Sequence, residues 1–195
     1  MSPDHAHGRQ AILEQAQKLF LAHGYHGVSI RDIVQACGLS NAALYYHFES
    51  KQALFLEMFR DYVATVVQRL IASDTGVGLC RERLARVALA YAQIIIESQT
   101  ESQIIARDVL EFNNEEDRQL IHATQGKIIA TFGGILQQGI ASGQVRNIDP
   151  EQMSMMLLGM INTLAIHYLF ARQEDRLAAE IPALVDTLFE GIAAS

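Results

Sequence analysis

Residues 28 to 55 constrain the fold most, because they contain the signals for two short helices, a tight turn and the start of a third helix. Ser29 and Asp32 have the spacing of a capping box, in which each side chain bonds a backbone amide at the helix start. Gly38 follows where a left-handed residue would satisfy the last carbonyls. Ser40 is a favourable N-cap for the next helix. This layout predicts a helix-turn-helix motif.

The second helix of the motif has an apolar side and an outward side. Leu44 and Phe48 are an apolar i, i+4 pair, which predicts that they face inward. The second helix of such a motif enters the DNA major groove, so the outward side chains are candidates for DNA contact. They are Asn41, Ala42, Ala43, Tyr45, Tyr46 and His47. Packing of Tyr46 against the first helix of the chain is the alternative for that residue.

Lys51 lies in the first turn of the third helix, which Ser50 is expected to cap. The helix macrodipole favours anions at that end, so a lysine there is unfavourable by itself. A DNA phosphate docked at the helix start would be held by the backbone amides and by the ammonium together. A solvated surface lysine is the alternative interpretation.

The stretch resembles the DNA-binding domain of TetR-type transcriptional regulators. The match covers about residues 8–66, and its most specific part is Leu-Tyr-Tyr-His-Phe-Glu-Ser-Lys-Gln-Ala-Leu at 44–54. Ala42 departs from the family, which often has glycine there. The resemblance implies an all-α protein in which an N-terminal three-helix helix-turn-helix domain, residues 6–66 with the motif at about 29–48, is joined by a long helix to a C-terminal effector-binding and dimerisation domain, residues 73–195.

The same resemblance implies roles for the outward residues. Ser29 and Lys51 would contact phosphates, with Arg31 as a further possibility, and Ser40, Asn41, Ala43, Tyr45 and His47 would face DNA. Asn41 can pair bidentately with adenine, and Ala42 or Ala43 can touch a thymine methyl. The hydroxyls of Tyr45 and Tyr46 could bond phosphates.

The charge balance at first argues against a nucleic-acid binder, because the formal net charge is −7 and the pI is near 5.4. Such proteins are usually basic. Residues 1–55, however, hold four Lys or Arg and four Asp or Glu, so the excess negative charge belongs to the rest of the chain. An acidic C-terminal domain would repel DNA in general and leave discrimination to the local surface of the motif.

The rest of the chain follows helical patterns, with hydrophobic content of 50%, three prolines and no tryptophan. Apolar periodicity and stop signals predict helices over about 51–72, 81–98, 102–112, 116–142, 150–172 and 181–193. Residues 153–171 carry no formal charge and are long enough to span a bilayer. Asn162 and His167 would be costly in lipid, so we expect no membrane span and a helix buried on several faces. The resemblance implies a homodimer formed through about 150–172 and 177–193.

The resemblance also implies a pocket for a small effector among the middle helices. The few charges there favour a neutral or apolar molecule, and plain core packing is the alternative for each candidate residue. The candidates are Tyr91, Ile95, Phe112, Phe132, Met156, Met160, Asn162 and His167.

These features together predict a homodimeric repressor that reads a palindromic operator in double-stranded DNA and is released when a small molecule binds. A TetR-type regulator that activates transcription, or that has no effector, is the alternative. The sequence has no nucleophile elbow, zinc-protease pattern or phosphate-binding glycine loop, so we expect no enzyme activity, cofactor or metal. Cys37 and Cys80 are expected to be reduced, and without an apolar leader the protein is expected to be cytoplasmic.

Overall fold

The computed structural model describes residues 3–98, 107–109, 112 and 114–192, with side chains from residue 8 to residue 191 of those ranges. No strand occurs within these ranges, and the predicted all-α class is confirmed. The helices are α1 (Pro3–His23), α2 (Ile30–Cys37), α3 (Asn41–His47), α4 (Lys51–Ser73), α5 (Cys80–Glu97), α6 (Glu115–Ala141), α7 (Pro150–Ala171), a 3₁₀ turn (Glu174–Arg176) and α8 (Leu177–Ile192).

The chain divides into two compact units, which we call the head unit and the body unit. The head unit contains residues 1–62 and 100–121, and the body unit contains residues 63–99 and 122–195. This differs from the predicted division at about residues 66 to 73, which placed the whole chain after residue 73 in the C-terminal domain. Residues 100–121, which follow α5 in sequence, belong to the head unit.

The predicted helix boundaries hold within one or two residues at most ends. The last helix is different, because it begins at Leu177 rather than at about Ile181. A 3₁₀ turn leads directly into it, and Pro182 lies inside the helix. The helix predicted at 102–112 falls largely outside the described residues, of which 107–109 are helical.

The core of the head unit is built where α1, α2 and α3 pack against one another. Ile12, Ala16 and Phe20 of α1 are completely buried and lie at helical spacing on one side of the helix. Leu44 of α3 is completely buried and Phe48 nearly so, which confirms the predicted inward pair. Burial of a large apolar side chain contributes about 1.5–3 kcal/mol, so this pair fixes which side of α3 remains outside.

The body unit is organised around α5, which packs against α7 and α8, while α7 and α8 also pack against each other. Leu84, Val87, Ala88 and Ala92 form the buried stripe of α5. Among the described helices, α7 is long and apolar enough to cross a membrane by length and composition, yet only 33% of its most apolar window is buried. An apolar helix therefore presents a large face that the single chain does not cover.

That uncovered face of α7 is a continuous stripe. Met155 and Met156 are 49% and 55% exposed, Ile166 is 43% exposed and Phe170 is 78% exposed. Gly159 and Thr163 are exposed between them, so exposed positions recur every three or four residues on one side of the helix. We call this surface the α7 stripe. Contiguous exposed apolar surface of this kind marks an interaction site.

A largely buried ion pair joins the end of α4 to α5 and α6. Two guanidinium nitrogens of Arg83 donate to the two carboxylate oxygens of Asp74, at 2.9 and 2.6 Å, and the third donates to Gln138 Oε1 at 2.6 Å. The side chains are only 12% and 16% exposed. The hydrogen bonds from Arg83 hold the pKa of Asp74 below its usual range.

Arg83→Ala should lower the free energy of unfolding by about 1.5–3 kcal/mol near neutral pH, because it leaves a buried carboxylate without its charged donor. A carboxyl group with a depressed folded-state pKa stabilises above its unfolded pKa of about 4, and this contribution is lost as the pH falls through the folded value. Urea unfolding at neutral and acidic pH should therefore show a difference between the variant and wild type that shrinks in acid. Arg118→Ala is the control, because its pair with Glu115 is exposed and should change stability by less than about 1 kcal/mol.

Candidate nucleic-acid interface

The start of α2 is fixed by the predicted capping box. The Asp32 amide donates to Ser29 Oγ at 3.2 Å, and the Asp32 carboxylate accepts the Ser29 amide at 2.8 Å and the Ser29 hydroxyl at 2.6 Å. These bonds from Ser29 also lower the pKa of Asp32. The local sequence alone therefore determines where the first helix of the motif begins.

The turn and the start of α3 also follow the predicted signals. Gly38 has φ of 66°, the left-handed conformation that glycine adopts without strain. The Leu39 amide donates back to Val34 O at 2.9 Å, which satisfies a carbonyl at the end of α2. Ser40 Oγ accepts the Ala43 amide at 3.2 Å and caps α3. The helix-turn-helix over 29–48 is thereby confirmed as a structure.

The outward side of α3 presents the side chains that the sequence assigns to DNA contact. Tyr45 is 52% exposed and Tyr46 is 72% exposed, so Tyr46 does not have the burial that packing against α1 would give. Ser40, Asn41 and Ala42 are exposed as well, whereas Ala43 and His47 are half-buried. Asn41 and Tyr45 are four residues apart and lie on the same side of the helix. The outward side of α3 therefore carries the side-chain amide of Asn41 and the phenols of Tyr45 and Tyr46, while Leu44 is buried on the inward side.

The two α2 candidates are also at the surface. Ser29 and Arg31 are both exposed. The Ser29 hydroxyl already takes part in the capping box, so any phosphate contact must share that group. Arg31 stands one residue before the capping carboxylate of Asp32.

Lys51 is placed differently from the expectation that its ammonium faces a phosphate. Its Nζ donates to the carbonyl oxygens of Tyr25 at 2.8 Å and Val28 at 2.9 Å, and it lies 4.1 Å from the centroid of the Tyr25 ring. Burial of the half-buried side chain lowers the pKa of Lys51. The carbonyls of Tyr25 and Val28 lie between α1 and α2, and the Lys51 ammonium donates a hydrogen bond to each. Lys51 therefore has a structural role in the head unit.

Arg9 is a residue of the head unit that sequence reasoning missed. Its guanidinium lies 4.8 Å from the centroid of the Phe48 ring, at the end of α3, and forms a 2.9 Å ion pair with Glu57 of α4. The backbone at Gly8 passes close to His47, because a Cβ there would lie 3.4 Å from His47 Nε2. The beginning of α1 thus packs against the end of α3. No local sequence pattern predicts a contact between residues so far apart in the chain.

The segment between α5 and α6 also contributes to the head unit, which sequence reasoning missed. The completely enclosed carboxylate of Asp108, 1% exposed, accepts the Tyr25 amide at 2.7 Å. Phe112 was expected in the effector pocket, and this expectation is corrected by its position. Its ring lies 5.0 Å from the Tyr25 ring and 5.5 Å from the Phe55 ring, both in the head unit. Phe112 is buried against these two aromatic side chains, so it belongs with the head unit and not with the body residues.

The other effector candidates separate into two groups in the body unit. Tyr91 of α5, Phe132 of α6 and Asn162 of α7 come together, with the Tyr91 hydroxyl 3.5 Å from Asn162 Oδ1 and the Tyr91 and Phe132 ring centroids 6.1 Å apart. Ile95 is buried in α5 and Met160 is half-buried in α7. Met156, which is part of the α7 stripe, and His167 are exposed on α7 and do not belong to this internal group.

Comparison with protein families identifies the class. The family model of bacterial regulatory proteins of the tetR family matches residues 12–58, and that of the tetracyclin repressor-like C-terminal domain matches residues 78–168. The two matches cover most of the chain and include both the helix-turn-helix and α5 to α7. The chain therefore belongs to the TetR family, and it is a DNA-binding transcriptional regulator.

Individual relatives span three quarters of the chain or more. The fatty acid metabolism regulator protein of Bacillus subtilis is 22% identical and covers 93% of both chains. The transcriptional repressor KstR2 of Mycolicibacterium smegmatis is 27% identical, over 75% of this chain and 73% of its own. The fold matches that of the regulator FadR from Bacillus subtilis, solved with stearoyl-CoA, at a TM-score of 0.72 and 20% identity over 93% of this chain and 95% of that one.

Proposed function

We propose that the protein is a homodimeric, cytoplasmic repressor that binds a palindromic operator and leaves it when a small apolar or neutral molecule binds the body unit. The exposed side of α3 carries this proposal, because a polar and aromatic surface on the second helix of a helix-turn-helix is what base readout requires. We assign DNA contact to Ser29, Arg31, Ser40, Asn41, Ala42, Ala43, Tyr45, Tyr46 and His47. We do not assign phosphate contact to Lys51, since its ammonium serves two backbone carbonyls.

The dimer is proposed to form through α7 and α8. The α7 stripe is apolar and uncovered, and a contiguous exposed apolar surface of this kind marks an interaction site. Ala179, Ala183 and Thr187 are exposed on α8 at four-residue spacing, and such small side chains allow close approach of a partner helix. A second copy of the chain would match this surface by two-fold symmetry, which is how most soluble oligomers form. A second copy of the chain on this surface would also account for the long apolar sequence of α7, with no need for a membrane span.

The effector is proposed to bind near Tyr91, Ile95, Phe132, Met160 and Asn162. The Tyr91–Asn162 hydrogen bond is long, at 3.5 Å, so a polar group of a ligand can replace it at little cost. The surrounding side chains are apolar or aromatic, which favours a molecule with a large apolar part and a neutral polar group. Relatives include a regulator of fatty acid metabolism and a structure with stearoyl-CoA, which supports an acyl compound as the first class to test.

Selection of random DNA duplexes on the purified protein tests the proposal. We expect an inverted repeat to be recovered, with half-sites about one helical turn or a multiple apart, and binding as one dimer per site. Neutral acyl esters and alcohols of several chain lengths should then be added to the selected duplex, with release expected for at least one. The corresponding fatty acids and acyl-CoA compare a charged head group on the same chain. Recovery of no symmetric sequence, or binding by a monomer, would contradict the proposed function.

A further inference from the structure

The described residues between 107 and 117 contact the rest of the head unit at three places. Asp108 accepts the Tyr25 amide at 2.7 Å. The ring of Phe112 lies edge-on against the rings of Tyr25 and Phe55. The carboxylate of Asp117, in the first turn of α6, accepts the side-chain amide of Gln52 in α4. In sequence the segment follows α5, which belongs to the body unit, and runs into α6, whose residues from His122 onward also belong to the body unit.

Tyr25 is the residue on which these contacts converge. Its amide donates to Asp108, while its carbonyl accepts Lys51 Nζ at 2.8 Å and its ring lies beneath the same ammonium. Lys51 Nζ also donates to Val28 O at 2.9 Å, and Val28 immediately precedes Ser29, the N-cap of α2. A continuous series of hydrogen bonds therefore runs from Asp108 through Tyr25 and Lys51 to the start of the helix-turn-helix.

The backbone next to Tyr25 is adapted to this contact. Gly24 has φ of 72°, which favours glycine, and a Cβ at that position would lie 2.6 Å from Arg107 Nη2 and 3.5 Å from Asp108 Oδ2. The Arg107 guanidinium in turn donates to Asp108 Oδ1 at 2.5 Å. Burial opposes ionisation of Asp108, but the bonds from Arg107 and the Tyr25 amide outweigh it and hold the pKa below its ordinary value. The acceptor is therefore charged near neutral pH, when its bond to the amide is strongest.

We propose that Asp108 is a positioning residue for DNA binding, which holds the residues between α1 and α2, and through them the helix-turn-helix, in the conformation that fits the operator. This role of Asp108 rests on the proposed function, and it adds a residue that acts on operator affinity through the backbone between α1 and α2. The proposed role of Asp108 requires no contact between Asp108 and DNA.

Asp108→Ala should weaken binding to the selected duplex by about tenfold or more, because the part-buried Tyr25 amide loses the Asp108 carboxylate as an acceptor and the link between α1 and α2 relaxes. Asp108→Asn keeps a carbonyl oxygen for the Tyr25 amide and should remain within about threefold of wild type. Arg118→Ala is the matched control, since Arg118 is exposed in the same part of the chain and pairs with Glu115. Affinity is measured by fluorescence anisotropy on variants whose dimer mass and helical content equal those of wild type.

Amide hydrogen exchange distinguishes this role from a purely structural one. Substitution of a purely structural residue would not change how operator binding affects protection of the Tyr25 amide. By thermodynamic linkage, if the Asp108 bond favours the DNA-binding conformation, operator binding must in turn increase protection of the Tyr25 amide in wild type. We expect that increase in wild type and in Asp108→Asn, and its loss in Asp108→Ala. Lower thermal stability of Asp108→Ala with unchanged operator affinity and unchanged Tyr25 protection would overturn the inference. Failure of the wild-type protein to select any duplex would instead count against the proposed function.

Discussion

Ile166→Glu is expected to convert the protein to a monomer and to weaken operator binding by at least about 100-fold. Ile166 is 43% exposed within the α7 stripe, so a carboxylate there would be buried against the partner's apolar face when two copies associate. Removal of an unpaired charge from water costs several kcal/mol, and two-fold symmetry introduces that cost twice. A single head loses the gain in effective concentration that the second head provides, which is worth about 100-fold or more.

Sedimentation velocity across a range of concentrations measures the change in mass directly. Ile71→Glu is the matched control, because Ile71 is 60% exposed on α4 and lies outside the α7 stripe. It introduces the same residue at a comparably exposed isoleucine and should remain a dimer with wild-type affinity. A dimeric Ile166→Glu protein would show that α7 does not form the interface.

Tyr45→Ala should weaken operator binding by about 30-fold or more while leaving the dimer and its thermal stability unchanged. Tyr45 is 52% exposed on the outward side of α3, so its loss removes little from the core. A specific contact of one reading helix is worth about 1–3 kcal/mol, and a dimer on a palindrome loses it twice. Non-specific binding to unrelated duplex should change much less, since it depends mainly on phosphate contacts.

Fluorescence anisotropy with the selected duplex and with an unrelated one separates these two effects. Val77→Ala serves as the control, because Val77 is 72% exposed in the body unit and should bind like wild type. Equal affinity of Tyr45→Ala and wild type for the selected duplex would remove α3 from the reading surface. Lys51→Ala is a poorer test of DNA contact, since it leaves the carbonyls of Tyr25 and Val28 without their donor and should destabilise the head.

The parts of the fold that depend on neighbours within four residues could be predicted from the sequence. The capping box of Ser29 and Asp32, the left-handed Gly38 and the Ser40 cap each involve atoms three or four residues apart, so the sequence contains the whole interaction. Inward placement of Leu44 and Phe48 follows from helical spacing in the same way. These local signals, with the family resemblance, were enough to place the reading helix.

The missed features depend on residues that are distant in sequence. Asp108 bonds an amide 83 residues away, and no spacing rule connects the two. Phe112 was assigned to the body by its aromatic character, yet the same character suits the cluster around Tyr25. Lys51 was expected to face outward because its charge is unusual at a helix start, whereas backbone carbonyls 23 and 26 residues earlier account for it.

The split among the effector candidates has a similar cause. Apolar and polar side chains alternate around all sides of α7, and helical spacing cannot say which side faces α5 and which faces a second copy of the chain. The structure turns Asn162 toward Tyr91 and leaves Met156 on the exposed side. Tertiary packing therefore decides which candidates remain in the proposed effector site.

The affinity of the protein for a series of operators with altered spacing between the two half-sites tests the central claim most directly. If a dimer holds two reading helices at a fixed separation, inserting one to five base pairs at the centre should reduce affinity steeply, with the largest loss near half a helical turn. A variant duplex with both half-sites intact and the original spacing should bind normally whatever its central bases. Affinity that stays constant through the whole series would mean that the heads bind independently, and it would contradict the account.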